Sequence, residues 1–360
     1  MFDHSRQDAD KLQKILSENG KDKNDIIRMI LEGKAWDREG ISLSSDDQLF
    51  AMADGIRREV YGDEVYIRGL IEITNICRND CYYCGIRKSN RGLDRYRLDK
   101  ETILSCCRTG YELGFRTFVL QGGEDPFFTD DIVCDIISRI HEEFPDCAIT
   151  LSLGERSAES YRRLFEAGGR RYLLRHEAAD EDLYRRLHPE EMSPENRKKC
   201  LYELKETGFQ VGAGIMIGAP FQTIDHIMED IRFMEELGPD MIGVGPFMHH
   251  EDTPFGQYSD GSMELTLRVI ALCRMIFPHA LIPSTTALAS ISPNGRARGL
   301  KAGANVIMPN LSPADFRDKY SIYNNKAATG LESAQGLEDL KKTVAEAGYR
   351  IVTDIGDVKR

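Results

Sequence analysis

An alternation of strand-like and helical segments between residues 65 and 308 constrains the fold more than any other feature of this chain. Eight short apolar runs are predicted to be strands: residues 67–74, 117–120, 148–153, 172–175, 211–217, 241–244, 280–283 and 305–308. Helical spacing of apolar residues lies between them, at 100–113, 130–144, 158–167, 194–207, 223–237, 263–277 and 295–302. Strands that alternate with helices favour a parallel sheet, and eight such strands close a barrel. The predicted fold class is therefore α/β, a (βα)8 TIM-type barrel.

Several predicted helices end in the same way, with a glycine just before the next strand. These residues are Gly114, Gly168, Gly208, Gly238 and Gly303. A glycine after the last turn of a helix adopts the left-handed conformation that ends the helix. The repetition supports the alternation independently of the apolar pattern.

The segments outside the alternation predict two extensions. Residues 25–33 and 45–61 have helical apolar spacing, and residues 1–24 are polar apart from Leu12, Ile15 and Leu16, which indicates a mobile or loosely docked leader. A helix at 334–348 and a short extended end at 349–354 are expected after the barrel. The predicted division is an N-terminal helical extension at 1–62, a barrel at 63–325, and a C-terminal helix and tail at 326–360.

Charge and composition exclude some classes of partner. The net charge of −12 argues against binding nucleic acid or an anionic membrane surface, because both require a basic face. The sequence has no apolar run long enough to span a membrane, and the first residues lack the apolar core of a signal peptide. Nine cysteines without a disulfide-like spacing are typical of reduced thiols. The expected location is the cytoplasm.

Three cysteines follow the first predicted strand with the spacing C-x3-C-x2-C: Cys77, Cys81 and Cys84. A structural zinc site and an all-cysteine iron–sulfur cluster each use four ligands. Three close cysteines without an obvious fourth therefore favour a cluster with one open iron. A zinc knuckle completed by a distant histidine and thiols without a metal are the alternatives.

Polar and glycine-rich segments occur where predicted strands end, which is where barrels of this type have their active sites. Gly122, Gly123 and Glu124 follow the second strand, and an ordinary turn is the alternative reading of that phrase. Alternation along the fourth strand puts Arg171, Arg175 and Glu177 on one face, where a buried arginine could receive an anion. Arg175 and Glu177 are alternatively a structural ion pair, and Arg197 is alternatively a solvated surface residue.

These phrases together resemble known families. The cysteine loop, with Tyr83 before its last cysteine and Gly85 after it, resembles the radical S-adenosylmethionine (SAM) superfamily. Six phrases together resemble the HydE family of [FeFe]-hydrogenase maturases within that superfamily, across roughly residues 45–325. They lie at 75–85, 121–126, 151–155, 171–177, 285–286 and 304–310.

The resemblance implies roles for individual residues. Cys77, Cys81 and Cys84 bind one [4Fe–4S] cluster, whose open iron binds SAM. The residues implied to surround SAM are Tyr83 at the adenine, Gly122, Gly123 and Glu124 at the methionine part, and Glu177 and Arg197 at its polar groups. The residues implied to line a deeper substrate cavity are Arg171, Arg175, Thr285, Thr286, Met308 and Tyr320.

The chemistry implied by the resemblance is reductive cleavage of SAM to a 5′-deoxyadenosyl radical, which acts on an Fe(CO)2(CN)–cysteine precursor of the hydrogenase di-iron subcluster. A ferredoxin- or flavodoxin-type electron donor and other hydrogenase maturation proteins are the implied partners. Some relatives have a second cysteine trio near the C-terminus, whereas no cysteine follows Cys273 here, so a single cluster is expected.

Three alternative functions stay open from the sequence. A methylornithine synthase and a biotin-synthase-like enzyme would act on an amino acid or a sulfur-containing small molecule. A scaffold that only binds and delivers an iron fragment belongs to another class.

Overall fold

Three helices and a small hairpin precede the barrel. The structure is a computed structural model that describes residues 2–18, 20–38, 41–326 and 333–360. Its first elements are helix α1 (Phe2–Ser17), helix α2 (Lys21–Glu32), the antiparallel strands β1 (Trp36–Arg38) and β2 (Ile41–Leu43), and helix α3 (Asp46–Tyr61).

The N-terminal helix is docked on the rest of the molecule, which corrects the expectation of a mobile or loosely docked leader. Leu12 and Leu16 of α1 have no exposed surface. The helix packs against α3 and against a barrel helix, Met263–Ile276, and the Gln13 amide donates to the Met275 carbonyl at 3.4 Å. Burial of this apolar stripe explains why a mostly polar segment is held in place.

Parallel strands form the centre of the molecule. The strands are β3 (Glu64–Ile67), β4 (Gly69–Thr74), β5 (Thr117–Gly122), β6 (Ala148–Ser152), β7 (Gly169–Leu173), β8 (Gln210–Ile217), β9 (Met241–Pro246) and β10 (Val306–Ile307). Strands β4 to β9 pair side by side in chain order, and every pair is parallel.

Single bridges complete the barrel between β9 and β4. Leu281 bridges Met241 of β9, Pro283 bridges Val306 of β10, and Asn310 bridges Leu70 of β4. Strand β10 also pairs with β3. The seventh predicted strand, at 280–283, is thus reduced to isolated bridges, and Pro283 contributes to this because it lacks an N–H for a sheet ladder. The predicted (βα)8 barrel fold is confirmed.

Helices cover the outside of the barrel. They are α4 (Lys100–Glu112), α5 (Asp130–Glu143), α6 (Ala158–Glu166), α7 (Glu181–Leu187), α8 (Pro194–Thr207), α9 (Ile224–Leu237), α10 (Met263–Ile276), α11 (Thr286–Ile291), α12 (Gly295–Lys301) and α13 (Ala314–Arg317). Side-chain caps begin most of the long ones, as Asp99 does for α4 and Thr129 for α5. The five glycines predicted to end helices all have positive φ, between 59° and 122°, which confirms that prediction.

The C-terminal segment returns to the barrel. A 3-10 turn (Ala334–Gly336), helix α14 (Leu337–Glu346) and strand β11 (Arg350–Val352) follow one another, and β11 pairs in parallel with β3. The predicted helix and extended end are confirmed within the described residues, while 327–332 lie outside them. In the described ranges, no helix combines the length and apolar character needed to cross a membrane.

Candidate active site

One arginine fixes the segment that contains the three cysteines. The Arg95 guanidinium donates to four backbone carbonyls, those of Asn75 at 2.5 Å, Ile86 at 2.8 Å, Arg87 at 2.6 Å and Asn90 at 2.8 Å. These carbonyls lie on both sides of the cysteine loop, which follows β4 directly. A loop without regular secondary structure is therefore held at a defined position at the carboxyl end of the barrel.

The three cysteine side chains line one cavity, and each is only partly exposed there. Burial raises the pKa of Cys77, and burial together with the neighbouring thiols raises the pKa of Cys81 and raises that of Cys84 to about 12. Three thiolates require a local positive charge, which the irons of a cluster supply. Within the described ranges, no group of three His, Cys, Asp or Glu side chains is arranged around a single metal ion. The donor set therefore fits a cluster, in which each cysteine binds a different iron, better than one zinc ion.

Two glycines, at the last position of β5 and directly after it, allow the chain there to approach the cysteine loop. A Cβ atom on Gly123 would lie 2.3 Å from the Ile76 carbonyl oxygen and 2.8 Å from Cβ of Cys77. A Cβ atom on Gly122 would lie 2.8 Å from Cγ2 of Thr74. No larger residue fits at Gly123 without displacing the cysteine loop. The alternative of an ordinary turn does not account for this contact.

The Glu124 carboxylate is oriented at the rim of the site. Its Oε2 accepts from Nε of Arg78 at 3.1 Å, and its Oε1 accepts from the backbone N–H of Glu155 at 3.0 Å. Gly154 has φ of 76°, and a Cβ atom there would lie 2.0 Å from Cγ of Glu124. The conformation of Gly154 thus provides the space in which this carboxylate lies.

Arg197 is a buried residue of the site, so its reading as a solvated surface arginine is wrong. Only 8% of its surface is exposed, although it lies in the first turn of α8. Its Nε donates to Oε1 of Glu155 at 2.5 Å, and its Nη1 donates to the Arg175 carbonyl at 3.0 Å. The guanidinium links the loops after β6 and β7.

Tyr83 has a buried histidine partner that the sequence reasoning missed. The Tyr83 hydroxyl lies 3.0 Å from Nε2 of His188, and Nδ1 of His188 lies 2.9 Å from the Tyr184 carbonyl. Burial, followed by the nearby Arg197 cation, lowers the pKa of His188 to about 3. The imidazole is therefore neutral. Its Nδ1–H donates a hydrogen bond to the carbonyl, and its Nε2 accepts a hydrogen bond from the Tyr83 hydroxyl. No spacing in the sequence connects these two residues.

A cavity of about 350 Å³ lies at the carboxyl end of the barrel, against the cysteine loop. It brings together every residue to which the sequence assigned a role at the site, except Arg171. The candidate residues that line it are Cys77, Cys81, Tyr83, Cys84, Gly122, Gly123, Glu124, Arg175, Glu177, Arg197, Thr285, Thr286, Met308 and Tyr320.

One wall of this cavity has buried polar atoms without a hydrogen-bond partner. They are Nε and Nη2 of Arg175, Oε2 of Glu177 and Oγ1 of Thr285. Arg175 and Glu177 do form an ion pair, with 3.2 Å between Nη2 and Oε2, as the structural alternative expected. Because that pair leaves these atoms without a well-oriented hydrogen bond, the wall can receive a ligand that bears both an acceptor and a donor.

A second wall contains an ion pair that sequence reasoning also missed. Glu72 of β4 is fully buried, forms an ion pair with Lys326, and accepts a hydrogen bond from the Asn310 amide at 2.9 Å. Burial raises the pKa of Glu72. The Lys326 ammonium lies 4.8 Å from the centre of the Tyr320 ring, and the Gln121 amide donates to the Tyr320 hydroxyl at 3.4 Å. A lone acid within an apolar strand was the available signal for Glu72, whereas nothing in the sequence indicates Lys326.

Arg171 does not lie in the cavity, which corrects the expectation that it lines the substrate site. Its fully buried guanidinium bonds to the Ile355 carbonyl at 2.9 Å and to Thr117 Oγ1 at 3.1 Å, and it pairs with Asp357. It faces the interior as alternation predicts, but it is four residues before Arg175, which is about 13 Å along a strand. Arg171 therefore packs with the C-terminal tail at the opposite end of the barrel.

Comparisons with known proteins agree with this arrangement. A family model described as the Radical SAM superfamily matches residues 71–234. The [FeFe] hydrogenase maturase subunit HydE of Thermotoga maritima is 43% identical over 326 residues, which cover 90% of this chain and 93% of that protein. The 3-methylornithine synthase of Methanosarcina barkeri is 30% identical over 269 residues, covering 74% of this chain and 75% of the relative.

Solved structures share the fold. The crystal structure of methylornithine synthase (PylB) has a TM-score of 0.80 and 25% identity, and the match covers 95% of this chain and 97% of that one. The FeFe-hydrogenase maturase HydG from Carboxydothermus hydrogenoformans has a TM-score of 0.73 and 19% identity over 97% of this chain and 85% of that one, which is a likeness of fold alone. The extent and identity of the match to the Thermotoga protein decide the family. The chain belongs to the radical SAM superfamily, whose enzymes bind a [4Fe–4S] cluster and SAM, and within it to the HydE family.

Proposed function

We propose that this enzyme takes part in [FeFe]-hydrogenase maturation and acts on an Fe(CO)2(CN)–cysteine precursor of the di-iron subcluster. One observation supports this most strongly. The cysteine loop, the glycine-rich loop after β5 and the unpartnered atoms of Arg175 and Thr285 all line the same cavity. A radical precursor and an anionic substrate group would therefore share one enclosed space.

The residues around the cysteine loop hold the cofactors in this proposal. Cys77, Cys81 and Cys84 ligate a single [4Fe–4S] cluster, and SAM lies beside it. With both bound, reductive cleavage of SAM supplies a 5′-deoxyadenosyl radical. The residues that position SAM are Tyr83 beside the adenine, Gly122, Gly123 and Glu124 along the methionine part, and Glu177 and Arg197 at its polar groups.

The deeper wall binds the substrate in this proposal. Arg175 provides two guanidinium nitrogens and Thr285 provides a hydroxyl, all without a well-oriented hydrogen bond. A guanidinium suits the cyanide and carboxylate groups of the iron–cysteine compound, because both are anionic acceptors. Thr286, Met308 and Tyr320 shape the remaining surface of the substrate site. Arg171 has no place in this site and instead holds the base of the barrel together.

An amino-acid substrate is the second candidate, and a particular observation favours it. Arg175 and Glu177 place opposite charges side by side in the cavity, which suits a zwitterion whose carboxylate and ammonium would pair with them. The methylornithine synthase structure also matches nearly the whole chain. A biotin-synthase-like reaction or an iron-delivery scaffold would use the same cavity differently.

Electron paramagnetic resonance during turnover separates these candidates. The anaerobically reconstituted protein is mixed with SAM, a reductant and the synthetic iron–cysteine compound. We expect a new paramagnetic signal that broadens when the compound contains 57Fe. Cleavage of SAM that responds only to a free amino acid would favour the synthase-like reaction. An intact cluster that never cleaves SAM would favour the scaffold.

The partners and the setting of the enzyme complete the proposal. A ferredoxin- or flavodoxin-type protein donates the electron, and other hydrogenase maturation proteins receive the product. All nine cysteines are free, which supports a reducing compartment such as the cytoplasm. The division into an extension at 1–62, a barrel at 63–325 and a tail at 326–360 stays a prediction.

A further inference from the structure

Glu177 occupies a backbone conformation that glutamate rarely adopts. Its φ is 64°, and it is one of only three non-glycine residues with positive φ in the described ranges. The N–H of Ala178 donates to the His176 carbonyl at 2.8 Å, so the chain makes a γ-turn centred on Glu177. A γ-turn with positive φ at a residue that has a Cβ is strained. The surrounding structure must therefore hold the turn in place.

A buried carboxylate on a neighbouring helix provides that restraint. Asp230 of α9 has no exposed surface. Its Oδ1 accepts from the N–H of Ala179 at 2.6 Å and lies 3.3 Å from Nε2 of His176, whose ring is also buried. On the other side, Nδ1 of His176 accepts from the N–H of Gly214 at 3.4 Å. Asp230 thus contacts the chain on both sides of Glu177.

The β8 strand contacts the same turn from the opposite direction. The N–H of Glu177 donates to the Gly214 carbonyl at 3.1 Å, and Glu177 forms a single parallel bridge with Ile215. Because the backbone is fixed from two sides, the Glu177 side chain has a defined starting point. It ends in the cavity, with 11% of the side chain exposed and with Oε2 3.2 Å from Nη2 of Arg175 but without a well-oriented hydrogen bond.

We propose that Asp230 and His176 are positioning residues for SAM binding, which hold the strained turn so that the Glu177 carboxylate faces the cofactor. This inference rests on the proposed role of Glu177 at the polar groups of SAM. Neither Asp230 nor His176 lines the cavity, so both act only through the backbone of residues 176–179. The competing explanation is a polar pair that stabilises the core without directing Glu177.

A double-mutant cycle on the reconstituted full-length protein distinguishes the two explanations. Asp230→Leu removes both acceptor contacts at similar volume, and Asp230→Asn keeps one acceptor for Ala179. The matched control is Asp225→Asn, on an exposed turn of the same helix, where the side chain pairs with Arg28. The dissociation constant of SAM is measured for each variant with and without Glu177→Gln. Hydrogen exchange of the peptide that contains 176–179 is followed in the protein without SAM.

We expect Asp230→Leu to weaken SAM binding about tenfold, the effect of losing a hydrogen-bonded contact to a charged group. In the Glu177→Gln background, Asp230→Leu should raise the dissociation constant of SAM by less than a further factor of about two, because both substitutions disable the same contact. Exchange at 176–179 should accelerate in Asp230→Leu, less in Asp230→Asn and not in Asp225→Asn.

Other results would overturn the inference in distinguishable ways. Equal weakening by Asp230→Leu in both backgrounds, or no weakening at all, would leave the role of Glu177 intact and reject positioning through it. An unchanged SAM affinity in Glu177→Gln alone would reject the proposed role of Glu177, and the inference with it. If Asp230→Leu does not fold, His176→Gln replaces it in the same cycle and must meet the same expectations.

Discussion

Gly123 brings the loop after β5 into direct contact with the cysteine loop. We predict that Gly123→Ala strongly reduces cluster content and SAM affinity, because its Cβ would lie 2.3 Å from the Ile76 carbonyl and would displace Cys77. Iron and sulfide content after anaerobic reconstitution measures the first effect. The control is Gly92→Ala, where the nearest atom to the new Cβ is 3.4 Å away. Full cluster content in Gly123→Ala would contradict this prediction, because it would show that the two loops can move apart without loss of the cluster.

The lowered pKa of His188 should make the free energy of unfolding depend on pH. Its pKa is about 3 in the folded protein, against about 6.5 in an unfolded chain, because burial disfavours the imidazolium. The unfolded state therefore binds the proton first as pH falls, and stability that is complete above about pH 6.5 declines towards pH 3. Between pH 7.5 and 5.5 the wild type should lose about 1.4 kcal/mol more than His188→Gln.

Urea denaturation at the two pH values gives the free energies for this comparison. Parallel losses in the wild type and in His188→Gln would show that the imidazole is not held neutral. The variant also removes the partner of the Tyr83 hydroxyl. A raised dissociation constant for SAM would then connect this histidine to the adenine site.

At the scale of the element, β7 and the residues after it place two arginines at two heights in the barrel. Arg175 is 30% exposed at the cavity, whereas the Arg171 side chain is fully buried at the other end. We predict that Arg171→Met lowers the free energy of unfolding by about 2 kcal/mol, because Ile355, Thr117 and Asp357 lose a buried partner. Arg175→Met should lower it by less than Arg171→Met, because Arg175 is 30% exposed and loses a single ion pair, with Glu177.

The same two substitutions should have the opposite order of effect on KM, with the larger effect at Arg175. Arg175→Met is expected to raise KM for the iron–cysteine compound about tenfold or more, because a charge-assisted contact is lost. Arg171→Met should leave KM unchanged at a temperature where the variant is folded. Denaturation curves and initial rates on the same preparations test both statements. A raised KM in Arg171→Met with an unchanged KM in Arg175→Met would contradict the placement of Arg175 at the substrate cavity and of Arg171 at the opposite end of the barrel.

At the scale of the whole molecule, the sequence predicted the barrel because its signals repeat. Apolar runs, helix caps and helix-ending glycines each occur many times. An error in assigning one strand–helix unit therefore changes the predicted number of units by only one. The exception is the segment at 280–283, where Pro283 limits the ladder to isolated bridges. The docking of α1 was not predicted, because two buried leucines in a polar segment are a weak signal.

The site was predictable as far as loops could be assigned to strand ends. Fourteen of the fifteen candidate residues line one cavity, because strand C-termini meet at one end of a parallel barrel. Alternation gave the correct face for Arg171 but not its height along the barrel axis. The contacts of Lys326 with Glu72 and of His188 with Tyr83 join residues more than 100 positions apart. No local pattern records such contacts, and only the folded chain shows them.

Cleavage of SAM by the reconstituted protein tests the central claim most directly. With dithionite and SAM, the wild type should form 5′-deoxyadenosine, and formation should respond to the iron–cysteine compound. Cys81→Ser should lose both the cluster and the product, whereas Cys273→Ser, at a buried cysteine of α10, should lose neither. An intact cluster that binds SAM without forming 5′-deoxyadenosine, or loss of the cluster in Cys273→Ser, would contradict the account.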